Sequence, residues 1–291
     1  MSLAQTGEAI ARQTAPARPR RNRQKHTTIL WLAALGLIAI IGIAAPLVPE
    51  SWHAVNPAAR GLAPSLAHPM GTDLLGRDMA ACTLAALGRS IWVGFFSAAL
   101  STLIALAIGL AASLDRRADR LLGGVTELAL GLPHFVLLIL VCYAAGGGTT
   151  GVILAVSLTH WPRLSRVLRH EAQTVLTSDY VMISRALGRS PGWIARRHLV
   201  PHLLPQLASG FVLIFPHAIL HEAGLSFIGL GLEPHLPSIG MMLAESLRGL
   251  MAGKWWIAAG PGLALMLVAL CFERLGERLR KAADPRAVDI A

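Results

Sequence analysis

Residues 179–205 read DYVMISRALGRSPGWIARRHLVPHLLP, a basic, heavily punctuated stretch set between two apolar ones. Leu176, Tyr180, Ile183 and Leu187 recur at helical spacing, so the stretch opens on a helix with an apolar stripe. Arg185 and Arg189 fall off that stripe. Gly188 supplies a stop, because glycine accepts the left-handed conformation that closes a helix. Ser190 suits the cap of a second helix, and Pro191 suits its first turn, where no backbone donor is needed. That second helix runs through Trp193, Ile194 and Leu199 towards Pro201 and Pro205. The reading is helix, sharp corner, helix. Two roles fit it. One is an interfacial hairpin that tucks its stripe against a bilayer. The other is a rigid elbow that docks into a soluble partner and moves the segment after it.

The surroundings of the stretch place it beside a membrane. The chain has 291 residues, 54% hydrophobic and 14% charged, too apolar for a soluble domain of this size. Most of its apolar runs are near the 20 residues needed to cross about 30 Å of hydrocarbon. Six spans are expected, at about 29–49, 91–113, 121–145, 147–162, 204–231 and 255–273. The fourth is short and ends in Thr159, His160, Trp161 and Pro162, and Pro133 should kink the third. The expected class is therefore an all-α integral membrane protein.

The basic residues sort by side. Of the 26 Lys and Arg, twenty-one precede span 1, lie between spans 2 and 3 or between spans 4 and 5, or follow span 6. The other five are Arg60, Arg77, Arg89, Arg248 and Lys254. Basic residues favour the cytoplasm, so both termini and the 179–205 stretch are expected there. The organisation that follows is a disordered basic N-terminus over 1–28, a first transmembrane helix over 29–49 and an extracytoplasmic segment over 50–90. A core over 91–273 carries a cytoplasmic loop at 170–202, and a tail covers 274–291. Nucleic acid is not an expected partner, because the net charge of +10 is split among short loops. A cleaved signal peptide is not expected, since span 1 is too long for one.

Several chemistries find no residues to carry them. Cys82, Cys142 and Cys271 show no paired spacing, so neither a disulfide framework nor a thiolate metal site is expected. Gly253-Lys254 is followed by Trp255 and lacks the upstream glycine of a phosphate-binding loop. HAILHE at 217–222 has two histidines one turn apart but no glutamate between them, unlike a zinc protease. Nothing resembles a nucleophile elbow. Catalysis is not expected, and no catalytic residue or resident metal site is assigned. A secondary transporter or channel would be the reading of a different class, but no internal repeat of the kind such carriers show is visible.

Polar groups inside spans are costly and usually face a partner or a cavity. His217 and His221 fall on one face of span 5, with Glu222 about 100° round from His221. These three are candidates for lining a translocation pathway, the alternative for each being a hydrogen bond to a neighbouring helix.

The stretch YVMISRALGRSPGWIARRHLVPHLLP resembles the cytoplasmic signature loop of permeases of ATP-binding cassette (ABC) importers. More narrowly it is similar to the dipeptide, oligopeptide and nickel permease family, C-type subunit. Further landmarks fall in order: HPMGTDLLGRDM at 68–79, LGLPHFVLLILV at 130–141, LSFIGLGLEPHLPSIGMML at 225–243 and DPR at 284–286. The likeness covers about residues 29–286. It implies a type I ABC importer permease fold in a bacterial inner membrane. The implied partners are a second permease, two ATPase subunits that use ATP, and an extracytoplasmic binding protein; no cofactor is implied in this chain. Ser184, Arg185, Ala186, Leu187, Gly188, Arg189, Ser190 and Pro191 would form the ATPase-coupling elbow. The family's Glu-Ala-Ala stands here as Met182, Ile183 and Ser184, which removes one carboxylate from that contact. Within the family, His217, His221, Glu222 and His235 look most like permeases for nickel or metal-chelator complexes, including opine metallophores. Dipeptides are the alternative cargo.

Overall fold

The computed structural model describes residues 54–233 and 236–283, together with residues 36, 39–43, 45, 49 and 51, with side chains described as far as residue 277. Most of span 1, the N-terminus over 1–28, the DPR landmark and His235 lie outside the described residues. Every regular element among the described residues is helical. The α-helices from residue 54 onward are α1 (Met79–Leu114), α2 (Arg116–Gly131), α3 (His134–Ala144), α4 (Gly148–Leu176), α5 (Asp179–Ala186), α6 (Pro191–Ile194), α7 (Val200–Phe227), α8 (Ile239–Met251) and α9 (Trp256–Ala283).

Helix α1 is the spine, packing along α4 and α7, while α9 packs on α7 and α8. Its buried face runs Gly94, Ala98, Ser101, Ala105, Gly109 and Ala112, small residues three or four apart. Lipid is as apolar as leucine, so helices in a bilayer gain by close approach, and small residues allow it. At Gly109 an added Cβ would come within 3.1 Å of the Leu168 Cβ and 3.2 Å of the Ser165 carbonyl oxygen. Several large residues of α1, among them Trp92, Phe96 and Leu103, lie on its exposed face.

Several expected boundaries move. Helix α1 begins at Met79 because Asp78 caps it, its carboxylate accepting from Ala80 N and Ala81 N, so it takes in the last residues of the segment assigned to 50–90. The third span does not merely kink at Pro133: α2 and α3 are bent by 105° across a break. Pro133 supplies no backbone donor, and its residue stands outside both helices as the cap of α3. The fourth span does not end at Pro162. Helix α4 passes through that proline and continues to Leu176. Pro162 leaves the Leu158 carbonyl without its helical donor, and the Trp161 indole N–H donates to that oxygen at 3.0 Å. Arg163, Arg166 and Arg169 therefore stand on a helix rather than in a loop. The fifth span is α7, closing at Phe227, and α8 lies between the expected fifth and sixth spans.

Three helical stretches are long and apolar enough to cross a membrane, Met79–Leu114, Pro191–Phe227 and Trp256–Glu277, and the bent α2–α3 pair makes a fourth if it is one span. Six spans are thus not reached among the described residues. Outside the helices, Asp73 organises the loop before α1. Its Oδ1 accepts from Leu75 N at 2.8 Å and Arg77 N at 2.9 Å. Arg77 donates to Asp73 through Nε and to Glu245 of α8 through Nη2 at 2.6 Å. Burial opposes the charge on Arg77, but Asp73 and then Glu245 outweigh it and hold its pKa above the ordinary value.

Candidate functional site: elbow and histidine-lined cavity

The elbow forms as its sequence dictates. Helix α5 closes on Gly188 at φ +74°. Gly188 N donates to Arg185 O at 2.9 Å and Arg189 N to Ser184 O at 3.1 Å, the paired closure that a left-handed glycine makes possible. Ser190 caps α6, its Oγ accepting from Trp193 N at 3.3 Å, with Pro191 in the first turn. The two arms are also tied by His198, which reading of the sequence does not single out. Ser184 Oγ donates to Tyr180 O at 2.9 Å and lies 3.0 Å from His198 Nε2. The His198 ring stands against Tyr180 and Trp193, with centroids 5.3 and 5.2 Å away, and the Arg189 guanidinium lies 4.9 Å from the Trp193 ring centroid.

The predicted apolar stripe is not all inward. Leu176 is buried, but Tyr180, Ile183 and Leu187 are exposed, with Leu187 at 73%. What anchors the elbow is a different set: Val181, Ile194, Leu199 and Leu203 are buried against α1 and the C-terminal half of α4. The elbow is thus fastened on one face and presents Tyr180, Met182, Ile183 and Leu187 on the other. The second arm does not stop at Pro201 or Pro205. From α6 the chain widens into one π turn over Ala195–Leu199 and runs on as α7.

Helix α7 carries that connection inward over 28 residues, about 42 Å at 1.5 Å per residue. It reaches a cavity of about 440 Å³ bounded by the α2–α3 break, α4 and α7, and lined by His134, His160, Arg163, His217 and His221 among others. The expected pathway set divides here. His217 and His221 both line the cavity. Glu222 does not. It is fully buried, and its carboxylate accepts from Ser90 Oγ of α1, Ser226 Oγ of α7 at 2.8 Å and Ser238 Oγ at 3.1 Å, the residue before α8. The 100° that separates it from His221 turns it into the helix bundle, where it joins three elements.

The cavity instead gains His134 and His160. Ligand nitrogens of His134, His160 and His221 all lie within 4.8 Å of one another. The ring centroids are 4.6 Å apart for His134 and His160, 5.1 Å for His134 and His221, and 5.0 Å for His160 and His221. His134 opens α3 immediately after the break, His160 sits mid-α4, and His221 sits on α7. No local spacing links these three positions. The one advance signal is that each is a polar group inside an apolar run.

The elbow thus stands at one end of a helix whose later turns wall the histidine-lined cavity. The profile of the family described as "binding-protein-dependent transport system inner membrane component" matches residues 84–285, and the chain belongs to that family. A Brucella suis protein provisionally named a peptide transport system permease is 33% identical over 268 residues, covering 92% of this chain and 90% of that one. The dipeptide transport system permease protein DppC of Bacillus subtilis is 30% identical over 275 residues, covering 94% and 85%. Among solved structures, the MetNI methionine ABC transporter in an inward-facing conformation superposes with a TM-score of 0.56 at 16% identity, over 71% of this chain and 98% of that one. That likeness establishes the fold. The chain is accordingly the permease subunit of an ABC importer, and the energy-yielding chemistry belongs to other subunits. The nickel and metallophore likeness read from 215–240 finds no counterpart among these relatives.

Proposed function

We propose that this permease forms, with a second permease chain, the pathway of an importer for short peptides. The observation that carries the cargo assignment is the match, over more than nine-tenths of this chain, to relatives named for peptide and dipeptide transport. The cavity agrees with it: about 440 Å³ lies within the range of roughly 300–1,000 Å³ usual for small-molecule sites. Arg163 and the N-terminus of α3 border it, where a peptide carboxylate is favoured. Two ATPase subunits dock on the elbows through the exposed face of Tyr180, Ile183 and Leu187. A binding protein delivers cargo at the opposite end, against the 54–78 segment and α8. ATP-driven closure of the ATPases swings the elbows, and α7 passes the motion to the cavity wall. Metal or metal-chelate cargo is the second reading, favoured by the histidine cluster alone.

Uptake tests the assignment. In cells lacking other importers, expression of the intact transporter should confer accumulation of a radiolabelled dipeptide and none of ionic radionickel; accumulation of nickel without dipeptide would reverse the cargo assignment. The orientation follows from the split of basic residues. Reporter fusions at Gly188 should read as cytoplasmic and fusions at residues 60–66 as external, and an external signal at Gly188 would overturn the coupling role.

A further inference from the structure

We propose that His134, His160 and His221 form a binding site for a divalent transition-metal ion. Imidazole nitrogen suits zinc, nickel, copper and cobalt, and three such ligands with an open position make a common first coordination sphere. Nitrogens on a tetrahedral ion at about 2.0–2.1 Å stand roughly 3.4 Å apart. The present separations, all within 4.8 Å, therefore need about an ångström of ring movement.

His160 is already set for this role. Thr159 Oγ1 donates to Ala155 O at 2.8 Å, so the Val156 carbonyl, 3.0 Å from His160 Nδ1, takes the ring N–H. That assigns the proton to Nδ1 and the lone pair to Nε2. The Nε2 atom is buried and has no hydrogen-bond partner among the described residues. A ring nitrogen held by a backbone carbonyl, with the other nitrogen left for an ion, is the usual outer support of a histidine ligand. A buried acceptor without a donor is otherwise costly, so the arrangement calls for a partner in the cavity.

The surroundings select the form in which the ion arrives. No carboxylate lines this cavity among the described residues, whereas Arg163 does. The positive end of α3 also begins at His134. A bare dication beside these groups is poorly placed. An ion that brings carboxylate oxygens with it is well placed, its metal on the imidazoles and its carboxylates towards Arg163. A peptide or amino-acid chelate with open coordination positions has that chemistry. The site does not depend on the peptide-import reading, because it is defined by binding rather than by net transport.

The test uses the assembled transporter, purified with its second permease and ATPases on a tag free of histidine and held in lipid nanodiscs. It is titrated with Co²⁺ alone and with Co²⁺ plus one equivalent of glycylglycine. One equivalent should bind per copy of this chain and develop visible d–d absorption of nitrogen-ligated cobalt. Saturation with the dipeptide present and not without it assigns the chelate as source; equal saturation by Co²⁺ alone assigns the free ion. His134→Gln, His160→Gln and His221→Gln should each weaken binding at least about tenfold, the lower bound even for outer supports of a metal site. His170→Gln, outside the cavity, should leave it unchanged. Co-purification of the ATPases checks that each variant assembles. Wild-type affinity in the three cavity variants, or loss of the signal in His170→Gln, would overturn the site. Dipeptide uptake is measured separately, so failure of the peptide reading leaves this outcome intact.

Discussion

Gly188→Val is expected to insert and accumulate normally while losing ATPase association and uptake to background. The residue stands at φ +74°, and a Cβ added there would meet nothing within 4 Å, so the penalty is conformational rather than steric against neighbours. Left-handed backbone costs an ordinary L-residue about 1–2 kcal/mol, and a β-branched one suffers most. That energy cannot unfold a helix bundle, but it is comparable to the two backbone bonds that close the corner, each worth about 0.5–1.5 kcal/mol net. Relaxation of the corner breaks the Gly188–Arg185 and Arg189–Ser184 bonds and redirects α6 relative to α5. The exposed face of Tyr180, Ile183 and Leu187 then no longer matches its partner. Gly188→Asn supplies the control, because asparagine visits the left-handed region and should restore association and much of the uptake. Normal uptake by the valine variant would return the stretch to the interfacial-hairpin reading. Loss in both variants would instead assign the defect to side-chain bulk. Met182→Glu, which restores the family's carboxylate at an exposed position, should be tolerated.

The corner was legible because its determinants are local. Gly188, Ser190 and Pro191 each act through the backbone within a few residues, and the structure repeats their reading bond for bond. Of the six expected spans, the described residues supply three long apolar helices, or four with the bent pair, and the expected ends shift. Proline alone does not decide a helix end: at 162 a neighbouring indole replaces the lost donor and the helix continues, whereas at 133 the chain bends by 105°. Arg163, Arg166 and Arg169 read as loop charge because composition turns basic partway along α4, well before the helix ends at Leu176. The face of a buried helix was least legible of all. In α7 both sides are apolar, so helical spacing fixed the angle between His221 and Glu222 but not which of them met a cavity. The histidine cluster depends on α3, α4 and α7 meeting at one place, which no short-range pattern encodes.

The division between those two neighbours yields the second large effect. Glu222→Ala is expected to destabilise the assembly by about 2–3 kcal/mol, seen as a fall on the order of 5–10 °C in melting temperature. Three hydroxyls lose their acceptor at once, from Ser90, Ser226 and Ser238. A buried donor left unmade costs about 1–3 kcal/mol. Ser90 and Ser226 lie on helices and can turn back to their own carbonyls, which offsets part of the loss. Hydrogen bonds between membrane helices average about 0.6 kcal/mol, so the bonds themselves contribute less than the void and the orphaned groups. Ser238 has no such recourse, since it precedes α8, and Ser226 Oγ also receives Leu232 N at 3.2 Å. The tie between α1, α7 and the start of α8 is therefore the part that gives way. Glu222→Gln keeps one acceptor oxygen and nearly the same shape, and should recover most of the stability with uptake unchanged. If Glu222→Gln instead kept full stability and altered uptake, the carboxylate would belong to the pathway after all, and the bundle in action would have to turn α7 enough to bring it round to the cavity.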